Sequence, residues 1–401
     1  MKWQNSALAA VLLAVGLAAA PQIGIAAETL KLGLSLPLSG NGSTWGLGMK
    51  WAAEAAAKQI NSGGGIKADG KIYTLEVLAY DNKYNTADGT KVAQTLFSRD
   101  NVDFVVGVMG TGPTQALQAI AERRDKLIFT TAWGRNVKGP EHPLTFTQAH
   151  TSSESMPELF GYIKKEHPNA KTVALINPND ATGKAVEADA RAFWSKIGMN
   201  VVMSDFFERD TTAFQSVATK IVQAKPDIVD ASSGPPDIAG QIFKELRTQG
   251  WKGIQVIAAG GSAATLTKTA GEAADGTYMG LVVDFASPAA TETQRRLNGE
   301  AEKVLGEPLN PVHVSTWDAT MALKAGIEKA NSLDPKKVAD ALRTVVFESS
   351  YGPAAFGGAE TYGIAEQILV PVTVAAVRNG KIVELARVKP KELEERLKVK
   401  Q

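Results

Sequence analysis

The sequence predicts an α/β fold: two similar lobes, each built on a mostly parallel sheet. Three observations carry this. Short apolar runs alternate with amphipathic stretches of helical length from residue 30 to about residue 258. The runs have few polar interruptions, as expected of strands covered on both faces. The alternation then restarts near His150, so two series of the same kind follow one another.

In the first series, residues 30–37 (LKLGLSLP), 75–80, 103–108 and 127–131 read as strands, and 45–60, 90–99 and 114–124 as helices. In the second, strands at 172–176, 201–204, 227–229 and 255–258 alternate with helices at 155–166, 183–197, 213–223 and 236–249. A third stretch departs from strict alternation, with a strand at 280–285 and helices at 291–305, 315–329 and 335–343. Pro335 at the first position of the last helix suits a helix start, where no N–H is needed. The tail turns to β. Residues 367–377 read as one long strand, Asn379-Gly380 as a two-residue hairpin turn and 382–388 as its return strand. The charged residues 389–401 are expected to form a solvated helix or a loose end.

The 401 residues suffice for two or three domains without disulfides or metals. Lys and Arg total 43 against 42 Asp and Glu, a net charge of +1, which argues against a nucleic-acid partner. Cysteine is absent, which excludes disulfides, Cys-ligated zinc, iron–sulfur clusters and cysteine nucleophiles. None of the four His stands at a metal-ligand spacing from another on one helix, so no metal is expected. At the amino terminus, Lys2 precedes a small, apolar run at 7–20, then Pro21 and small residues at 24–27. Residues 1–27 are therefore expected to be a signal peptide, cleaved near Ala26 or Ala27, because the run falls short of the roughly 20 residues that span a bilayer. With no Cys at the cut, the expected product is exported and soluble, in the periplasm or outside the cell.

Signs of catalysis are weak. Gly40-x-Gly42 misses the third glycine of a dinucleotide fingerprint by one place, and the acidic Asp81 lies some forty residues on. The chain contains no Walker A sequence, G-x-S-x-G elbow or H-E-x-x-H pair. No cofactor is expected. Asp81 reads as a strand-end turn former, and Glu187 and Asp189 as a solvated helix surface. What remains is polar and glycine-rich turns at the carboxyl ends of strands, where open α/β sheets bind ligands. The sharpest is Gly110-Thr111-Gly112-Pro113-Thr114, whose free N–H groups at a helix start suit a small anion as well as ordinary capping. Others are Thr131-Ala132-Trp133-Gly134, residues 177–183, Ser232-Ser233-Gly234 and Gly260-Gly261-Ser262.

The stretches LKLGLSLPLSG, WGLGMKWAAEAAAKQINSGGGI, LEVLAYDN, DFVVGVMGTGPTQALQAIAE, KLIFTTAW, VALINPNDATGKA, KPDIVDASS and VRNGKIV occur in this order. Together they resemble the Leu/Ile/Val-binding family of periplasmic receptors for ABC importers, over nearly all of residues 30–388. The resemblance implies two Rossmann-like lobes joined by a three-strand hinge, one of 29–148 and 284–353, the other of 149–283 and 354–401. It implies no enzyme, but a monomer that closes on a small ligand and delivers it to membrane permease subunits.

The resemblance also implies site residues. Thr111 with Gly112, and the segment Ala132, Trp133 and Gly134, would hold a ligand carboxylate, and Trp45 would wall the pocket. His150, at the crossing into the second lobe, would be a ligand donor or a hinge residue. Where amino-acid receptors of the family place aromatic residues and an acid for the ammonium, this chain has Thr182, Ser233 or Gly234, and Gly260. A buried ammonium without an anionic partner is costly, which favours a carboxylate lacking an α-amino group, aromatic or otherwise hydrophobic. A branched-chain or other amino-acid receptor is the alternative within the fold. A ligand-sensing protein or a periplasmic hydrolase is the alternative of another class. The resemblance places Tyr84 and Gly110 where some members carry a disulfide, so both partners of that cross-link are missing together.

Overall fold

The computed structural model describes residues 27–40 and 42–398. The export segment expected at 1–27 lies outside the described residues apart from Ala27, as does the tail beyond 398.

Six strands come first: β1 (Glu28–Leu36), β2 (Ile66–Ala68), β3 (Lys71–Asp81), β4 (Phe104–Val108), β5 (Leu127–Thr130) and β6 (Thr145–Thr147). Five follow: β7 (Thr172–Pro178), β8 (Asn200–Phe207), β9 (Ile228–Asp230), β10 (Ile254–Ile257) and β11 (Tyr278–Gly280). The last are β12 (Val346–Ser349), β13 (Gly352–Gly357), β14 (Gln367–Leu369), β15 (Val372–Arg378) and β16 (Lys381–Val388). They form a nine-stranded sheet, β12-β13-β14-β6-β5-β4-β1-β3-β2, and a seven-stranded sheet, β16-β15-β11-β10-β9-β7-β8. The central pairs of both are parallel, and antiparallel pairs lie toward the edges. The fold is α/β with two lobes.

Each sheet is central to its lobe because its strands are apolar on both sides. Every residue of β4 and β5 is buried. On one side of the first sheet Phe129, Phe146, Phe347 and Phe356 pack as a cluster of rings. In the second lobe Phe160 stacks on Trp194 with ring centroids 3.9 Å apart. Both lobes start their first helix in the same way. A Cβ on Gly46, in the helix Ser43–Ser62, would stand 1.9 Å from the Pro37 carbonyl oxygen. One on Gly183, in the helix Ala181–Lys196, would stand 1.9 Å from that of Pro178.

The strand order corrects several expectations. The β run at 367–377 is two strands in different sheets, broken at Val370-Pro371. Pro371 has no N–H to give a ladder, and there the chain changes lobe. Residues 354–369 thus belong to the first sheet, and the boundary expected at 353/354 falls between Leu369 and Val372. The strand expected at 280–285 ends at Gly280, where the chain leaves the second sheet. The hairpin turn stands as expected: Asn379 and Gly380 both have positive φ, 50° and 73°, between antiparallel β15 and β16. Within the tail, the described residues up to 398 take the first of the two forms expected, a helix. The helix Lys391–Lys398 buries Leu393 against Ala355 and Leu369 of the first lobe, and Glu392 accepts the Gly358 N–H at 2.8 Å.

Candidate functional site

Residues just beyond the carboxyl ends of strands from both sheets line one cavity. Among them are Met109 after β4, Thr131 and Trp133 after β5, Ser233 after β9 and Gly260 after β10. Its volume is about 30 Å³, room for about two waters. A larger ligand enters only if the lobes part. Among the described residues, no Asp, Glu, Lys or Arg lines it.

Six residues expected from the sequence line the cavity: Trp45, Trp133, His150, Thr182, Ser233 and Gly260. Trp45 spans the gap, its indole N–H donating to the Gly260 carbonyl at 3.0 Å. No side chain fits at Gly260 without a shift, since a Cβ would stand 2.8 Å from the Leu281 carbonyl oxygen. Trp133 is buried, 6% exposed, and its indole N–H has no acceptor. Such a group costs about 1–3 kcal/mol of desolvation while unpaired.

Thr111, Gly112, Ala132, Gly134 and Gly234 do not line the cavity, each for a local reason. Thr111 sits behind Thr182: its N–H donates to Thr182 Oγ1 at 3.1 Å, and the Thr182 hydroxyl donates to Thr111 Oγ1 at 3.0 Å. The expected anion seat is thus filled by a hydroxyl of the opposite lobe. The Ala132 N–H is committed to Thr130 Oγ1 at 2.9 Å, and that of Gly134 to Thr111 Oγ1 at 3.3 Å. Gly112 packs on Thr86 of its own lobe, where a Cβ would stand 2.5 Å from Oγ1, with Ala181 Cβ of the second lobe 3.9 Å away. The Gly234 N–H closes a turn on the Ala231 carbonyl at 3.2 Å.

Thr131, named in the sequence only as part of its strand-end turn, also lines the cavity, while sequence reasoning missed the hydroxyl-bearing Tyr84 and an apolar set including Met109, Leu281 and Val312. The missed signal for Tyr84 is the Asp81-Asn82 pair ahead of it. Asp81 accepts the Leu38 and Lys83 N–H groups at 2.9 Å each, which makes it the turn former expected. Asp189 corrects its expectation: it is buried, accepts the Ser152 hydroxyl at 2.5 Å and pairs with Arg135 of the first lobe at 3.4 Å.

The crossings between lobes run close together. His150 Nε2 donates to the Val370 carbonyl at 3.0 Å, the tautomer being assigned from that partner, and Thr373 Oγ1 donates to the Val282 carbonyl at 2.6 Å. His150 is thus both a hinge and a cavity residue. Burial lowers its pKa, so it stays neutral with Nδ1 as its acceptor. Beside it the first-lobe Lys138, buried, lies 3.2 Å from Glu154 of the second lobe and 3.1 Å from Thr151 Oγ1. Burial alone would raise the Glu154 pKa, but the Lys138 ammonium and the Thr151 and Tyr362 hydroxyls bring it down to about 2. Burial likewise lowers that of Lys138. The pair ties the hinge from both sides.

Comparison with known proteins agrees with this architecture. The model of the periplasmic binding protein family matches residues 29–381. The chain belongs to that family. Among relatives, the leucine-, isoleucine-, valine-, threonine- and alanine-binding protein of Pseudomonas aeruginosa is 24% identical over 360 residues, covering 89% of this chain and 93% of its own. A leucine binding protein from Thermotoga maritima superposes with a TM-score of 0.77 at 17% identity, over 90% of this chain and 99% of its own. A solute binding protein of an ABC transporter from Rhodopseudomonas palustris, in complex with benzoate, gives 0.75 at 20% identity, over 90% and 97%. The family and these relatives are binding proteins.

Proposed function

We propose that this protein is the exported, periplasmic receptor of an ABC importer. It binds a small organic carboxylate, aromatic or otherwise hydrophobic, as a monomer and hands it to permease subunits in the membrane. One observation carries the choice of ligand: among the described residues, the cavity has no acidic side chain on its wall, yet holds a buried indole N–H, that of Trp133, without an acceptor. An α-ammonium entering there would have no anion to meet. A carboxylate oxygen would meet the Trp133 donor, and with the lobes apart it would take the place of Thr182 at Thr111. Trp45 and Trp133 offer ring faces for an aromatic body. Closure then follows because the ligand touches both lobes and so favours the shut state. The benzoate complex of the Rhodopseudomonas palustris protein supports this reading. Export rests on the amino-terminal pattern. Among the described residues no helix is long and apolar enough to cross a membrane.

A branched-chain amino acid is the second reading, favoured by the Pseudomonas aeruginosa relative, a leucine-, isoleucine-, valine-, threonine- and alanine-binding protein. Native mass spectrometry of freshly purified protein tests both. An added mass matching an organic acid without nitrogen is the expected result, and an added mass matching leucine, isoleucine or valine would refute it.

A further inference from the structure

Tyr84 holds a conformation that a bulky residue adopts only under constraint, with φ at 58°, directly after Lys83 at 47°. The preceding side chains impose it. Asn82 is fully buried, donates to the Ser35 and Met109 carbonyls at 2.8 and 3.1 Å, and accepts the Tyr84 N–H at 2.9 Å. Asp81 accepts the Lys83 N–H. Strain held this firmly marks a residue whose placement matters.

The ring is seated as firmly as the backbone. It lies on a shelf made by two glycines in positive-φ conformations, Gly42 at 89° and Gly110 at 94°. A Cβ on Gly110 would stand 3.2 Å from Tyr84 Cε1, and one on Gly42 would stand 3.3 Å from Cδ2. Trp45 is beside it, with ring centroids 6.5 Å apart. Over the ring, 3.9 Å from its centroid, lies the guanidinium of Arg209, which follows β8 in the second lobe. Asp180 aims Arg209 by accepting from its Nε at 2.5 Å, while both terminal nitrogens are buried without hydrogen-bond partners. The charge thus meets two partners, the Asp180 carboxylate of its own lobe and the Tyr84 ring face of the other.

We propose that Tyr84 and Arg209 are the positioning pair of this site: the second lobe's guanidinium clasps the first lobe's ring on its glycine shelf, so shutting the lobes and setting one cavity wall are the same event. The proposal rests on the reading that this cavity holds the ligand, but its main test needs no ligand. Lys58 and Lys244 are exposed, one on each lobe, and the chain has no native Cys. Spin labels on Lys58→Cys and Lys244→Cys report the interlobe distance distribution of the folded protein. Arg209→Ala and Tyr84→Leu should each cut the ratio of closed to open forms about fivefold to tenfold, between the values of an exposed and a fully desolvated cation–π contact. The double variant should go no further than either single, and Tyr84→Phe, which keeps the ring, should retain the wild-type distribution. Circular dichroism checks that each variant is folded. A wild-type protein without a closed population, an unchanged distribution in the single variants, or independent effects in the double variant would overturn the clasp. With benzoate as probe, the same two variants should release it faster by a similar factor, with association changed less; unchanged release would also overturn the clasp. If benzoate does not bind the wild type, the aromatic-acid reading falls, and the distance measurement alone decides the clasp.

Discussion

The two lobes share a scaffold and differ in what they bring to the cavity. Both start their first helix with a glycine pressed on a proline carbonyl, Gly46 on Pro37 and Gly183 on Pro178. Each buries a carboxylate held by groups of its own lobe: Asp318 accepts from the Ser350 hydroxyl, and Asp230 from the Trp194 indole. Yet the first lobe supplies the rings, Trp45, Tyr84 and Trp133, while the second supplies Thr182, Ser233, Ala259 and Gly260. One lobe is a set of plates and the other a set of sockets. The Trp45 bond to the Gly260 carbonyl is where plate meets socket.

The largest expected effect tests the shared scaffold. Gly46→Val and Gly183→Val each drive a side chain into backbone and should each cost more than about 4 kcal/mol in urea unfolding. A small loss in one of them would show that its helix start can shift and that the device is not common to both lobes. The buried carboxylates come next. Burial raises Asp318 to about 7 and Asp230 to about 6, both from 3.8, against the Ser350 bonds in one and the Ser232 and Trp194 bonds in the other. Because the folded pKa is raised, the stability each group contributes is complete below pH 3.8 and is lost as pH rises through the folded value. Asp318→Asn should therefore flatten the fall in unfolding free energy between pH 4 and 7, by roughly 4 kcal/mol. Asp230→Asn should do so between pH 4 and 6, by roughly 3 kcal/mol. Equal pH profiles for the two variants would remove that distinction between the lobes.

Two smaller effects sharpen the contrast of plate and socket. Trp133→Phe keeps the ring and removes the unpaired donor. It should weaken benzoate binding by about 1.5–3 kcal/mol, the range for a hydrogen bond to a charged group, with no loss of melting temperature. Trp45→Phe should weaken binding by only about 1 kcal/mol, because it removes one neutral bond across the gap. If Trp45→Phe cost more than Trp133→Phe, the carboxylate would not be held where we place it.

The strands were legible because a parallel strand buried on both faces must be an apolar run, as β4 and β5 are. The hairpin of β12 and β13 was not, since Pro353, Gly352 and Gly357 within it break the strand pattern. The single run at 367–377 hid a change of lobe that Pro371 alone signalled. At the site, the rings that line the cavity were largely visible in the sequence. The filling of the Thr111 seat by Thr182 was not, because it joins residues 71 positions apart and exists only when the lobes meet. The Tyr84 wall was hidden for a related reason: its position comes from Asn82, two glycines and the opposite lobe.

The central claim, that the cavity accepts an anion but has nothing for an ammonium, is tested most directly by calorimetric titration of ligand-stripped protein with benzoate and with leucine under the same conditions. Measurable heat and a defined affinity are expected for benzoate, and none for leucine. Tight binding of leucine with none of benzoate would contradict it.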